Sequence, residues 1–326
     1  MKEKIHYDSF LNEYKGNLFE FLVAQKLAQA FKIEGQLLSD LLPVYKDQLI
    51  KYETELKKID PELSRKLPVL AKKTFDSLRE EIDFTPVKIF LVGKIANSSN
   101  NDLESTDILL LNALNELKGI SLKLSKDQSF VNTKSGGVRS FLQEYFKHEE
   151  VHHLQEELNL KMNVLYQSFA HELYSILDLG EFDDFKRYRD EGFSELPGSL
   201  EGEARVCLLK YYNDSIKVFY ENLKQLQSSN PSLFHQGLLR LIGFSDQNLV
   251  QVLVSHDNHD FKKIQIYSLS DFQGNSFEFR EQKVSDLTTS SLHLESNKIT
   301  LQIRLKPMNV FTTASMKVNC SIKHKS

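Results

Sequence analysis

The alternation of apolar and polar positions changes period repeatedly along the chain. From residue 8 to 31, Phe10, Leu11, Tyr14, Leu18, Phe21, Leu22 and Leu27 recur at helical spacing and predict an amphipathic helix. Residues 33 to 58 and 61 to 82 keep that period, with Asp60-Pro61 as a helix start between them. Pro86-Val87-Lys88-Ile89-Phe90-Leu91-Val92-Gly93 reads as a strand ending at a glycine, and the Asn/Ser-rich stretch 96–102 as a loop. Two short strands are expected near 107–112 and 119–125. Asn132 to Gly137 reads as a turn leading into a helix from about 138 to 159, and helical character continues over 160–242 with a break near Gly192 to Gly202. Beyond Gly243 the period becomes two, in runs such as Val250–Val254, Ile264–Tyr267, Phe277–Phe279 and Ile299–Leu305, which predicts an antiparallel sheet.

This order predicts an α/β (α+β) chain. Residues 1–242 form a helical region enclosing a mixed α/β core at about 86–160, and residues 243–326 a β-rich C-terminal region. No internal repeat or low-complexity tract interrupts it.

Composition narrows the class. A chain of 326 residues with 40% hydrophobic and 26% charged content is an ordinary globular chain long enough for one large domain or two smaller ones. No apolar run approaches the roughly 18 residues of a membrane span, and the N-terminal MKEKIHYDSF lacks the apolar centre of a signal peptide. Cys207 and Cys320 fall in no metal or redox motif, so two reduced thiols in a cytoplasmic protein are expected. A net charge of −4 does not by itself favour nucleic acid. The distribution is more telling: from Ser296 onward there are six Lys or Arg and no Asp or Glu. Lys118, Lys123, Lys126, Lys134 and Arg139 make the central region basic too, against an acidic helical stretch over 138–204. Basic patches on an acidic body suit a protein that grips phosphate locally. Lysines along a strand edge also guard against aggregation.

The chemistry centres on Ser105 to Arg139. Asp107 opens the apolar run Ile108-Leu109-Leu110-Leu111, and Ile120-Ser121-Leu122-Lys123-Leu124 alternates after a polar interval. A hairpin of these strands would set Asp107 and Lys123 side by side on a polar face. A carboxylate able to hold a divalent ion beside an ammonium able to orient water is what phosphodiester hydrolysis requires.

This constellation resembles the PD-(D/E)xK nuclease superfamily, which includes most type II restriction endonucleases. Asp107 and Ser121-Leu122-Lys123 carry the likeness, with Glu20 in Gly16-Asn17-Leu18-Phe19-Glu20-Phe21-Leu22-Val23-Ala24 matching the superfamily's N-terminal helix glutamate. The resemblance spans roughly residues 10 to 145. It implies a restriction-endonuclease-like mixed sheet core, a Mg²⁺ cofactor, double-stranded DNA as substrate and a homodimer facing a palindromic target. Asp107, Glu20, Ser121 and Lys123 would be catalytic. Position 121 departs from the pattern, being Ser where the superfamily has an acidic residue. The Ser-x-Lys variant draws its missing carboxylate from the following helix, which here implies Glu144, or secondarily Glu149, as metal ligand beside Asp107 and Glu20.

Contacts to DNA are expected from Lys126 and from Asn132, Lys134, Ser135 and Arg139 around the Gly136-Gly137 turn, where backbone N–H groups could approach a phosphate. Arg304, Lys306 and Asn309 extend the expectation to the C-terminal region. Two other readings compete. His148-Glu149-Glu150-Val151-His152 matches the HExxH helix of zinc peptidases, with His171 as a possible third ligand, although its surroundings are highly polar. Ser121 also fits a non-catalytic DNA-binding protein with a degenerate nuclease core.

Overall fold

The computed structural model of the protein describes residues 2–92, 106–126, 130–244, 248–257, 260–274, 276–280 and 290–325. Among them the helices are α1 (Lys2–Ala30), α2 (Glu34–Asp40), α3 (Pro43–Ile59), α4 (Pro61–Leu78), α5 (Phe141–Phe146), α6 (Glu150–Ile176), α7 (Lys186–Asp190), α8 (Gly202–Ser229) and α9 (Pro231–Leu241). The strands are β1 (Pro86–Leu91), β2 (Ile108–Asn112), β3 (Leu117–Lys126), β4 (Val131–Gly137), β5 (Leu249–Asp257), β6 (Asp260–Ser268), β7 (Glu278–Phe279), β8 (Ser291–Glu295), β9 (Ile299–Pro307) and β10 (Met316–His324). The class is α+β, with a helical N-terminal part and a β-rich C-terminus. Two units are present: Met1–Val131 with Gly243–Gln273, and Asn132–Ile242 with Gly274–Ser326. The asparagine- and serine-rich loop expected at 96–102 lies outside the described residues.

In the first unit α3 and α4 form for the expected reason. α3 buries Tyr45, Leu49, Tyr52 and Leu56, and α4 buries Leu63, Leu67, Leu70, Ala71, Thr74 and Leu78, each at helical spacing. Asp60 ends α3 and caps α4: its carboxylate accepts the Leu63 N–H at 3.0 Å, with Pro61 in the first turn. The sheet runs β1-β2-β3-β5-β6. β1, β2 and β3 form an antiparallel meander, β5 lies parallel to β3, and β6 returns antiparallel to β5. A parallel pair needs a long crossover, and the whole of 132–242 lies between β3 and β5 in the chain. One face of the sheet presents Ile89, Leu91, Ile108, Leu110, Ile120, Leu122, Val250, Val252 and Val254 to the buried sides of α1, α3 and α4. Edge strand β1 is closed by a side chain: Gln36 of α2 accepts from the Ile89 N–H at 2.8 Å and donates to its carbonyl at 3.3 Å.

The second unit holds the sheet β4-β10-β9-β8-β7. Its apolar face carries Leu292, Leu294, Leu301, Ile303, Leu305, Val318, Cys320 and Ile322, all buried, and α8 packs against β8 and β9. Rings of α6, α7 and α8 join this core, where Phe169 stacks on Tyr211 at 4.8 Å between centroids. Phe311, from the β9–β10 connection, inserts edge-on against Phe169, Phe185 and Tyr188.

The structure differs from the sequence expectation in several places. The helix expected over 33–58 is broken into α2 and α3 at Leu41-Leu42, ahead of Pro43, and the break expected near Gly192 already begins after Ile176. Residues 243–326 do not act as one region, because β5 and β6 complete the first sheet and only the later strands belong to the second unit. The turn expected at Asn132–Gly137 is strand β4, paired with β10. Its side chains are too small and polar to signal a strand. It is held instead by distant partners: Thr133 Oγ1 donates to the Leu241 carbonyl at 2.6 Å, and the Ser321 hydroxyl donates to Asn132 Oδ1 at 2.7 Å. The single helix expected over 138–159 is broken. α5 stops at Phe146, Lys147 takes a left-handed φ of 46°, and α6 begins at Glu150.

Candidate functional site

The β2–β3 hairpin is set by one side chain. Asn112 Oδ1 accepts the Leu114 and Glu116 N–H groups, both at 2.9 Å, and Asn115 takes the left-handed conformation at φ 63°. The resulting register puts Ile108 opposite Ile120, and Asp107 N–H donates to the Ile120 carbonyl at 2.9 Å. Ile108, Ile120 and Leu122 face the helices, so alternation sends Asp107, Ser121 and Lys123 to the other face.

There they meet at one oxygen. Asp107 Oδ2 accepts the Leu122 N–H at 2.6 Å, the Ser121 hydroxyl at 3.3 Å and Lys123 Nζ at 3.4 Å. Among the described residues Oδ1 accepts nothing. The two charged side chains are 20% and 23% exposed, so the pair is reachable from solvent yet partly desolvated. Gly119 packs closely beside it: a Cβ there would stand 2.8 Å from Thr106 Oγ1 and 3.0 Å from Leu249 Cδ1. Two neighbours of the cluster escaped the sequence reading. Thr106 is one. The other is buried Gln251, which lies across from Ser121 in the β3–β5 register. A lone amide inside the apolar run of a central strand was its only signal.

The expected acidic partners are distributed over both units. Glu20 sits half-buried on α1, which packs on the helix-covered face of the sheet, and the Tyr45 hydroxyl of α3 feels its charge. Neither Asp107 nor Lys123 is bonded to Glu20, because Asp107 and Ser121 project from the opposite face. Glu144 belongs to the second unit, where its carboxylate approaches Gly136 so closely that a Cβ there would stand 3.1 Å from Oε2. Gly136 thus admits α5 against β4, and the residues around it form a strand rather than a phosphate-binding turn. Glu149 precedes α6 and is exposed.

The expected DNA contacts fall in both units. Lys126 ends β3 and is exposed. Asn132, Lys134 and Ser135 lie along β4, and Arg139 donates to Asn163 Oδ1 at 2.6 Å. Arg304 and Lys306 project from β9, and Asn309 is exposed in the β9–β10 connection.

The peptidase motif loses its geometry. His148 lies before α6, not on it, and both His148 and His152 are exposed. His171 packs edge-on against Phe182. Among the described residues no three His, Cys, Asp or Glu side chains converge as a ligand set. Cys207 and Cys320 are free and buried, and burial pushes the Cys207 thiol up to about 12, which keeps it protonated at neutral pH. Among the described residues no helix is long and apolar enough to cross a membrane. Comparison with protein-family models, curated proteins and solved structures gave no match.

Proposed function

We propose that the chain is a Mg²⁺-dependent endonuclease of double-stranded DNA, of the type II restriction kind, with Asp107 and Lys123 at its centre. The observation that carries this reading is the convergence of Asp107, Ser121 and Lys123 on one solvent-reachable face, with one carboxylate oxygen held by three donors and the other unclaimed by the described residues. The donor set suits the ion: Mg²⁺ is commonly held by one or two carboxylates, with waters and substrate phosphates completing its shell. Asp107 Oδ1 is the hard oxygen available. When bound, the ion would supply Lewis-acid polarisation of the scissile phosphate.

The chain's own groups divide the remaining work. The Leu122 N–H and the Ser121 hydroxyl fix the carboxylate's orientation. Ser121, a poor ligand, acts as a positioning donor. Lys123 keeps a positive charge where a phosphate oxygen or an attacking water would sit and stabilises negative charge developing there. In this reading the enzyme works in the cytoplasm, as the homodimer a palindromic target would ask for.

A second reading is favoured by Glu20, which α1 carries on the helix-covered face away from Asp107: a DNA-binding protein whose nuclease core no longer cuts. Incubating supercoiled plasmid with Mg²⁺ and the wild type, Asp107→Ala or Lys123→Ala separates the two. Discrete fragments lost in both variants support the nuclease. DNA that is shifted but never cut by the wild type supports the second reading.

A further inference from the structure

The sheet of the second unit has one buried face, and that burial sorts its cations. Leu301, Ile303 and Leu305 of β9 and Val318, Cys320 and Ile322 of β10 are all buried. Strand alternation therefore puts Arg304, Lys306 and Lys317 together on the opposite face. Lys306 lies directly across from Lys317, and Arg304 is two residues along the same strand. Like charges opposite one another work against a sheet. Among the described residues no carboxylate relieves them, and none of the three has an ion-pair partner. The nearest acid of the neighbouring strand, Glu295, pairs with Lys325 at 2.9 Å and faces Arg280 at 3.8 Å. The Lys306 ammonium is held below the usual lysine range by burial and by the charges of Lys317 and Arg304.

We propose that Arg304, Lys306 and Lys317 form a clamp on the sugar–phosphate backbone of duplex DNA, binding it regardless of base sequence. Three cations with no ion-pair partner among the described residues are complementary to closely spaced phosphates, and neutralising them relieves the repulsion. The surrounding face favours a duplex over a single strand. Its other residues on β9 and β10, Thr300, Gln302, Asn319, Ser321 and Lys323, include no Phe, Tyr or Trp on which an unpaired base could stack. The clamp rests on the reading of the protein as DNA-acting but concerns binding, not cleavage, so the two can fail separately.

The test is fluorescence anisotropy of the full chain with labelled duplexes of two unrelated sequences, in EDTA, from 50 to 200 mM salt. Relative to the wild type, the variant Arg304→Gln/Lys306→Gln/Lys317→Gln should lower the slope of log affinity against log salt by about 2.7, from about 0.9 per phosphate contact. Over that salt range the wild type then loses roughly 40-fold more affinity than the variant, equally for both sequences. An unchanged slope in the triple variant, or no duplex binding by the wild type, overturns the clamp. So does a loss of binding to vesicles containing phosphatidylserine with duplex affinity intact. A slope change in a wild type that never cuts plasmid with Mg²⁺ keeps the clamp and rejects the nuclease. Thermal unfolding guards the result: a variant that melts below the wild type is replaced by Lys306→Met alone, for which the slope should fall by about 0.9.

Discussion

Replacing Asp107 with asparagine separates what the carboxylate does for the fold from what it does for chemistry. Asparagine has the same shape, so its carbonyl oxygen can still accept the Leu122 N–H now held at 2.6 Å and the Ser121 hydroxyl at 3.3 Å. Charge is what disappears. A hydrogen bond to a charged acceptor is worth about 1.5–3 kcal/mol and a neutral one about 0.5–1.5, so the Leu122 bond loses roughly 1 kcal/mol. The Lys123 pair, at 3.4 Å and 20–23% exposed, adds about 1 kcal/mol at most. The total of about 1–2 kcal/mol lowers the melting temperature by roughly 2–8 °C for a unit of this size. The chemical effect is much larger if the carboxylate holds the cation: cleavage should fall by at least about 10³-fold, equivalent to about 4 kcal/mol of barrier. The assay pairs plasmid cleavage over a Mg²⁺ titration with a thermal melt of the same preparation. Wild-type cleavage rates in Asp107→Asn would refute the assignment. So would a melting temperature lowered by more than about 15 °C, since the carboxylate would then be a structural cap and lost activity merely lost fold.

Other outcomes follow from the same geometry. Lys306→Met should raise the melting temperature at neutral pH by about 1–3 °C, because the like-charge repulsion it removes is worth about 0.2–1 kcal/mol. Lys306 has a depressed folded-state pKa, so its charged form costs stability at neutral pH, and that cost fades as pH rises through the depressed value toward the ordinary lysine range; the gap between variant and wild type should therefore narrow in alkaline melts, and a gap that widens contradicts it. Gly237→Ala places a Cβ 2.1 Å from the Phe146 ring and should destabilise the second unit by about 1–3 kcal/mol or more, so a denaturant midpoint equal to the wild type's would contradict the α5–α9 packing. Gly119→Val drives a side chain into Thr106 beside Asp107 and should depress cleavage more than DNA affinity in EDTA; the reverse pattern would argue against a precisely held carboxylate.

Much of this was readable wherever the interactions are local. Asp60-Pro61 announces α4 because both of its signals act within one turn. The β2–β3 hairpin and its Asp107–Lys123 juxtaposition follow from alternation across a short connection. What stayed hidden depends on distant partners. β4 carries Ser, Gly and Thr where a strand usually carries branched or aromatic residues, and only β10, far along the chain, makes it one. β5 and β6 read correctly as strands, but nothing in residues 249–268 says that they complete a sheet begun before residue 126. Glu20 misled for a related reason. Its apolar neighbours identify a buried helix, yet the side of the sheet that helix covers is fixed by the pairing of Ile108 with Ile120, which α1 does not encode.

The two polar clusters share a physical origin that bears on their meaning. In each sheet a buried apolar face fixes the register, and the side chains on the other face are carried where that register sends them. Burying Leu301, Ile303, Leu305, Val318, Cys320 and Ile322 contributes about 1.5–3 kcal/mol for each large side chain. The repulsion between Lys306 and Lys317 costs about 1 kcal/mol at most. The sheet therefore forms despite its cations, and the fold gains nothing from having three of them together. The Asp107–Lys123 pair is attractive, but by an amount small beside the burial of Ile108, Ile120 and Leu122 behind it. Stability explains the apolar faces and leaves both charged sets unexplained. Each charged set therefore needs an account of its own: the phosphate binding proposed for the cations of β9 and β10, and the chemistry proposed for the Asp107–Lys123 pair, each decided by its own assay.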